Sequence, residues 1–189
     1  MEITSAEFVK SIMGTDPIML DGKRQISFIG RSNVGKSSVI NSLVNRNNLV
    51  REGSMPGRTK QIDFFLINKE FYFIDLPGYG YAQLSESQRT KLKKMVLWYL
   101  FENIVPTNKI ILIIDAEVGP KDSDLELLDM CNRYKLNLLI VANKMDKIKN
   151  SEMVNKMKKL KDIFQDTKII LYSAKTKKGR EELLHEILD

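Results

Sequence analysis

Eight residues, Gly30-Arg31-Ser32-Asn33-Val34-Gly35-Lys36-Ser37, have the types and the spacing to wrap a run of phosphates. Glycines let backbone N–H groups close around phosphate oxygens, and the helix that follows aims its positive end at them. Lys36 is placed to reach the β and γ phosphates, and Ser37, with Ser38 behind it, offers a hydroxyl to Mg²⁺. A second stretch, Asp75-Leu76-Pro77-Gly78, supplies a carboxylate for the same ion, through water, and an N–H from Gly78 for a γ-phosphate. Thr59, in Pro56-Gly57-Arg58-Thr59, can complete the metal site when that phosphate is present. Asn143-Lys144-Met145-Asp146 chooses the base. The Asp146 carboxylate accepts both N–H donors on the Watson–Crick edge of guanine, while Asn143 orients the loop and Lys144 lies along the ring. Adenine presents the opposite pattern, and leaving a buried acceptor unpaired costs enough to reject it. Ser173-Ala174-Lys175 completes the pocket, with the Ala174 N–H facing guanine O6. All five stretches in this order predict a site for GTP or GDP with Mg²⁺.

Such a site needs strands that end along one edge of a sheet. Residues 25–30, 61–67, 71–75, 109–115, 138–142 and 168–172 read as strands, and 36–45, 86–102, 121–134, 151–164 and 179–188 as helices. The link Asn68-Lys69-Glu70 is too short for a parallel crossover and therefore makes a hairpin. The alternation predicts an α/β fold over residues 25–189. A single three-layer domain around the phosphate-binding loop is expected, with a mostly parallel six-stranded sheet, one antiparallel strand, and helices on both faces. Ligands then belong at the C-terminal strand ends. Residues 1–24 read as an N-terminal extension with a short helix over Ser5 to Ile12. Asn45 to Lys60 has no apolar periodicity and carries Gly53, Pro56 and Gly57, the signature of a long functional loop. The single Trp98 and the pair Met153 and Met157 fall at core positions of helices.

With 43% hydrophobic and 29% charged residues, the chain of 189 has the composition of an ordinary soluble domain. Its apolar runs are too short to cross a bilayer, and the first residues lack a signal-peptide plan, so a cytoplasmic protein with no membrane contact is expected. Cys131 has no partner for an internal disulfide and reads as a small buried hydrophobe. The charge is uneven. Residues 147–180 hold eleven basic and three acidic side chains, a local charge of +8, so the rest of a chain whose net charge is +6 carries −2. That concentration points to an anionic partner, with nucleic acid first.

The string Gly30 to Ser38, the tetrapeptide Pro56-Gly57-Arg58-Thr59 and above all Asp75-Leu76-Pro77-Gly78-Tyr79-Gly80-Tyr81-Ala82 resemble the EngB (YihA/YsxC) ribosome-biogenesis GTPases, within the translation-factor-related class. Asn143, where Thr is common, and Ala174, where Ser is common, depart toward the general GTPase pattern. The resemblance implies a monomeric GTPase that helps assemble the large ribosomal subunit or its precursor, meeting ribosomal RNA and proteins. GTP would order loops 46–60 and 76–85. Ras-like enzymes place a water-orienting Gln where this chain has Tyr79, so intrinsic hydrolysis should be slow. Lys36, Thr59 and Gly78 are the catalytic set. Asn33 joins them if its side-chain oxygen helps hold a K⁺ beside the phosphates, as in potassium-activated relatives of the class. Arg31 inside the loop need not act as an arginine finger. The rival is a regulatory GTPase with a protein partner and no RNA contact. A phosphotransferase is disfavoured, having no need of the Asn143 to Asp146 turn.

Overall fold

Strands buried on both faces need continuous apolar runs, and such runs build the middle of this sheet. The structure, a computed structural model, describes residues 2–50, 61–79, 85–102 and 107–188. The strands are β1 (Ala6–Ile12), β2 (Arg24–Gly30), β3 (Ile62–Ile67), β4 (Phe71–Asp75), β5 (Lys109–Asp115), β6 (Leu138–Asn143) and β7 (Ile169–Leu171). The helices are α1 (Lys36–Leu43), α2 (Glu86–Leu97), α3 (Asp122–Arg133), α4 (Asn150–Phe164) and α5 (Arg180–Leu188). One sheet runs in the order β1-β3-β4-β2-β5-β6-β7. β3 alone runs against the rest, antiparallel to β1 on one side and β4 on the other. The three-layer P-loop GTPase fold and the single reversed strand are as expected.

The sheet gains a seventh strand from the N-terminal extension, because Ala6–Ile12 pairs with β3 and is not the expected helix. Phe8, Val9 and Ile12 have helical spacing, but a bulge between Phe8 and Lys10 produces that spacing within a strand. The Asn68 side-chain oxygen accepts the N–H groups of Thr4 (2.8 Å) and Ser5 (3.1 Å), tying the extension to the β3–β4 hairpin. Asn68 and Lys69 both have left-handed φ, 50° and 60°, the backbone twist that two-residue hairpin turns prefer.

α1 and α5 cover one face, where Phe28, Phe73, Ile111 and Val141 meet Ile40, Leu43, Leu183 and Ile187. Arg180 donates to the carbonyls of Ser42 (3.1 Å) and Leu43 (2.8 Å), satisfying orphan acceptors at the end of α1. α2, α3 and α4 cover the other face, with Val96, Leu127, Leu160 and Phe164 on Ile29, Phe64, Leu112 and Ile114. Burying each such side chain is worth roughly 1.5–3 kcal/mol, which is why both helical layers stay on the sheet. α2 passes at Trp98 into a wider π-type turn, Trp98–Glu102, and Trp98 packs against this core. Cys131 is fully buried and its thiol is pushed up to about 12 by that burial, as a packing residue should be. Among the described residues no helix is long and apolar enough to cross a membrane.

β2 sits between β4 and β5. The chain therefore winds outward in both directions from β2, and the crevice beyond Gly30 is the switch point where ligands bind in open α/β sheets.

Candidate nucleotide site

Gly30 ends β2 against β5, and a Cβ there would stand 2.4 Å from the Ile113 carbonyl. Asn33 (φ 67°) and Gly35 (φ 91°) turn the following loop through left-handed backbone. A Cβ on Gly35 would also lie 2.5 Å from the Asn143 amide nitrogen, so glycine is required there twice over. α1 then starts with no side-chain cap, its first N–H groups left for a ligand. Lys36 stands at that start with Ser37 and Ser38 in the first turn. Its ammonium is nearly buried and meets the Asp75 carboxylate, which is 1% exposed at the end of β4. Residues far apart in the chain are thus brought together as the sequence required.

The base-binding loops are held to this phosphate loop by side chains. The Asn143 amide nitrogen donates to the Val34 carbonyl (2.9 Å), and its oxygen accepts the Ala174 N–H (3.1 Å). Lys144, itself left-handed (φ 66°), donates to the Asn33 carbonyl (2.6 Å) and to Asp115 (2.8 Å). Ser173 donates to Asp146 (2.5 Å) and accepts the Thr176 N–H (3.1 Å). One Asp146 oxygen is thereby oriented, and a carboxylate retains acceptor capacity for a ligand. The Ala174 N–H, expected to face guanine O6, has the Asn143 oxygen as a partner in the fold itself. Ala174 ties the β7 loop to β6 first. Lys175 follows it, exposed on the same turn. Gly57 and Thr59 lie outside the described residues, so the metal site is represented by Ser37 and Asp75 alone. The potassium cage expected from loop 46–60 lies mostly outside them too, and Asn33 itself is exposed.

Residues 25–144 match the model of a family described as 50S ribosome-binding GTPase, and residues 104–189 match the elongation factor Tu GTP-binding domain. The "Probable GTP-binding protein EngB" of Natranaerobius thermophilus is 42% identical over 100% of this chain and 99% of its own. The chain belongs to the EngB family of GTPases. The namesake from Clostridium acetobutylicum is 40% identical over 99% of this chain and 94% of its own. A crystal structure of a probable EngB superposes with a TM-score of 0.72 at 25% identity, covering 87% of this chain and 96% of that one. As an EngB-family P-loop GTPase, the chain binds and hydrolyses GTP.

One residue that organises the EngB site was not singled out by sequence, and a second was noted there only for the Gln it replaces. The first is Asp115, at the end of β5. One of its oxygens holds the Lys144 ammonium and the other accepts the N–H groups of Glu117 (2.9 Å) and Val118 (3.2 Å). Its place at a strand end facing the site was the available signal. Burial pushes its carboxyl up, but Lys144 and the two N–H groups outweigh that and hold it below 3.8. A depressed carboxyl contributes stability that is present above the unfolded value and lost as the pH falls through the folded one. Asp115→Asn, which keeps an acceptor but no charge, is expected to cost about 1 kcal/mol at pH 7. The urea midpoints of variant and parent should converge as acidification passes below the ordinary carboxylate range. A gap that persists there removes the ion pair from the account.

The second residue is Tyr79, where Ras-like enzymes carry their water-orienting Gln. Its hydroxyl donates to Asp124 of α3 (2.7 Å), and no other bond from that hydroxyl is seen among the described residues. The side chain is engaged with a helix and does not stand in for that Gln.

Proposed function

We propose that this GTPase is a nucleotide-controlled assembly factor for the large ribosomal subunit, binding the particle in one nucleotide state and leaving it in the other. The reading rests on the placement of the basic residues. Lys158, Lys159 and Lys161 are exposed on α4, and Lys175, Lys177 and Lys178 on the turn after β7. Among the described residues none of these six forms an ion pair with a protein carboxylate, and six ammonium groups on one C-terminal region suit a phosphate backbone. The description of the matching family as 50S ribosome-binding supports the same reading.

At the nucleotide, Asp146 reads guanine, Lys144 lies along the base, the phosphate-loop N–H groups and Lys36 hold the phosphates, and Gly78 senses the γ-phosphate. Ser37 and Asp75 are hard oxygen donors of the kind Mg²⁺ takes alongside water and substrate phosphates, so the residues present fit that ion. Mg²⁺ would neutralise charge on the phosphates. Preorganised donors that meet charge developing in the transition state are the largest catalytic resource such a site has.

The test is co-sedimentation with large subunits, with GDP and with a non-hydrolysable GTP analogue. The triple change Lys158→Glu, Lys159→Glu and Lys161→Glu should reduce association and lower the salt slope by roughly 0.7–0.9 for each phosphate no longer neutralised. Nucleotide affinity should stay within about twofold of the parent, because these exposed side chains lie in the second half of α4 and belong to none of the five nucleotide-binding stretches. Unchanged association would return these lysines to a solvated face and favour a protein partner without RNA contact.

A further inference from the structure

Tyr79 follows Gly78, whose N–H faces the γ-phosphate in the reading above, and its backbone meets the phosphate loop firmly through its carbonyl but weakly through the N–H on the Gly78 side. The Tyr79 carbonyl accepts the Ser32 N–H at 3.0 Å and the Ser32 hydroxyl at 3.3 Å, whereas the Tyr79 N–H reaches the Gly30 carbonyl at 3.4 Å, near the limit of a useful bond. On its other side the ring borders a cavity of about 190 Å³ between α2 and α3, walled by Ile29, Leu92, Val96, Leu127 and Met130. The ring packs in part against the core under α2 and α3, but the side that lines the void lacks dispersion partners. The hydroxyl bond to Asp124 is the polar restraint that fixes the ring between them. Asp124 is a firm anchor: it is 1% exposed, sits in the first turn of α3, and its second oxygen accepts the Lys121 N–H (2.8 Å).

We propose that Tyr79 is a positioning residue, whose hydroxyl bond to Asp124 holds the Gly78 peptide where its N–H distinguishes GTP from GDP. The proposal rests on the reading that Gly78 senses the γ-phosphate, and it couples that sensor to α3. Two elements that do not touch the nucleotide, α3 and the 116–121 turn before it, then bear on which nucleotide the protein retains. GDP has no γ-phosphate and is indifferent to the latch.

The experiment measures affinities for GDP and for a non-hydrolysable GTP analogue by calorimetry. Tyr79→Phe keeps the ring and removes the donor, leaving the buried Asp124 oxygen short of a partner. It is expected to weaken the analogue by about tenfold and to leave GDP within about twofold. Asp124→Ala should lower the analogue-to-GDP ratio similarly, and the double variant no further, because one bond is being removed twice. The readout is a ratio, so a general loss of stability does not imitate it, and Tyr79→Phe decides the matter alone if Asp124→Ala does not fold. Equal loss for both nucleotides, no loss, or additive losses in the double variant would overturn the latch. Gly78→Ala separates the layers. If it weakens the analogue selectively while Tyr79→Phe does not, the latch alone is wrong. If it weakens neither nucleotide selectively, the γ-phosphate reading falls and takes the latch with it.

Discussion

Asp146→Asn is expected to lower the affinity for guanine nucleotides by on the order of 10³-fold and to create binding of the xanthine counterpart, because a site built to pair donors rejects a ligand that leaves it unpaired. Guanine offers N–H groups at positions 1 and 2, and xanthine has a carbonyl at position 2. The structure adds a reason why the exchange should be clean. Ser173 donates to one oxygen of the Asp146 carboxylate at 2.5 Å, so the amide oxygen of an introduced Asn keeps that place. Its NH₂ group then turns to the base, where a xanthine carbonyl accepts it. Titration with fluorescent GDP and XDP measures both halves of the prediction. Loss of guanine binding with no gain for xanthine would mean that Ser173 does not set the orientation. Equal weakening of both would mean that Asp146 does not read the base.

Lys36→Met should have an effect of comparable size by a different route. The Lys36 ammonium and the Asp75 carboxylate form an ion pair buried at both ends, and removing one member leaves the other as an unpaired charge in a low dielectric. A loss of about 3–5 kcal/mol in unfolding free energy is expected from that alone. Hydrolysis should fall as well, by at least about 10²-fold, since the loop loses the ammonium assigned to the β and γ phosphates. The two effects come apart in the double variant Lys36→Met, Asp75→Asn. Neutralising the stranded carboxylate recovers much of the stability and none of the turnover. Urea melts and phosphate-release assays on the three proteins check this, and recovery of turnover in the double variant would remove Lys36 from the chemistry.

Much of this was legible in the sequence because the physics is local. An apolar run ending at Gly30, followed by residues that tolerate left-handed backbone and then by Lys36, specifies a strand, a turn and a helix start within a dozen residues. The hairpin at Asn68 and Lys69 was equally local. What escaped notice depends on partners distant in the chain. β1 becomes a strand only because β3 is available to pair with it, and the bulge at Val9 erases the two-residue period that would have announced it. Asp115 and Asp124 are unremarkable carboxylates until the fold brings Lys144 to one and Tyr79 to the other. The bond from the Ala174 N–H to Asn143 was hidden for the same reason, since Asn143 sits on another strand.

The Asn143 side chain spans the carbonyl of Val34 and the N–H of Ala174, two of the loops that must meet before the pocket exists. During synthesis those loops leave the translating ribosome far apart in time. At ordinary elongation speeds the phosphate loop waits on the order of ten seconds for Ala174 to be made, and longer for it to clear the exit tunnel. Throughout that interval a nascent chain has its phosphate loop but not the Ser173 and Ala174 contacts that hold Asp146 and Asn143 in place. Guanine selectivity therefore arrives late and together with the last strand of the sheet. A chain truncated before β7 would not pass for a working switch, and GTP in the cell would be consumed only by molecules already long enough to control its release.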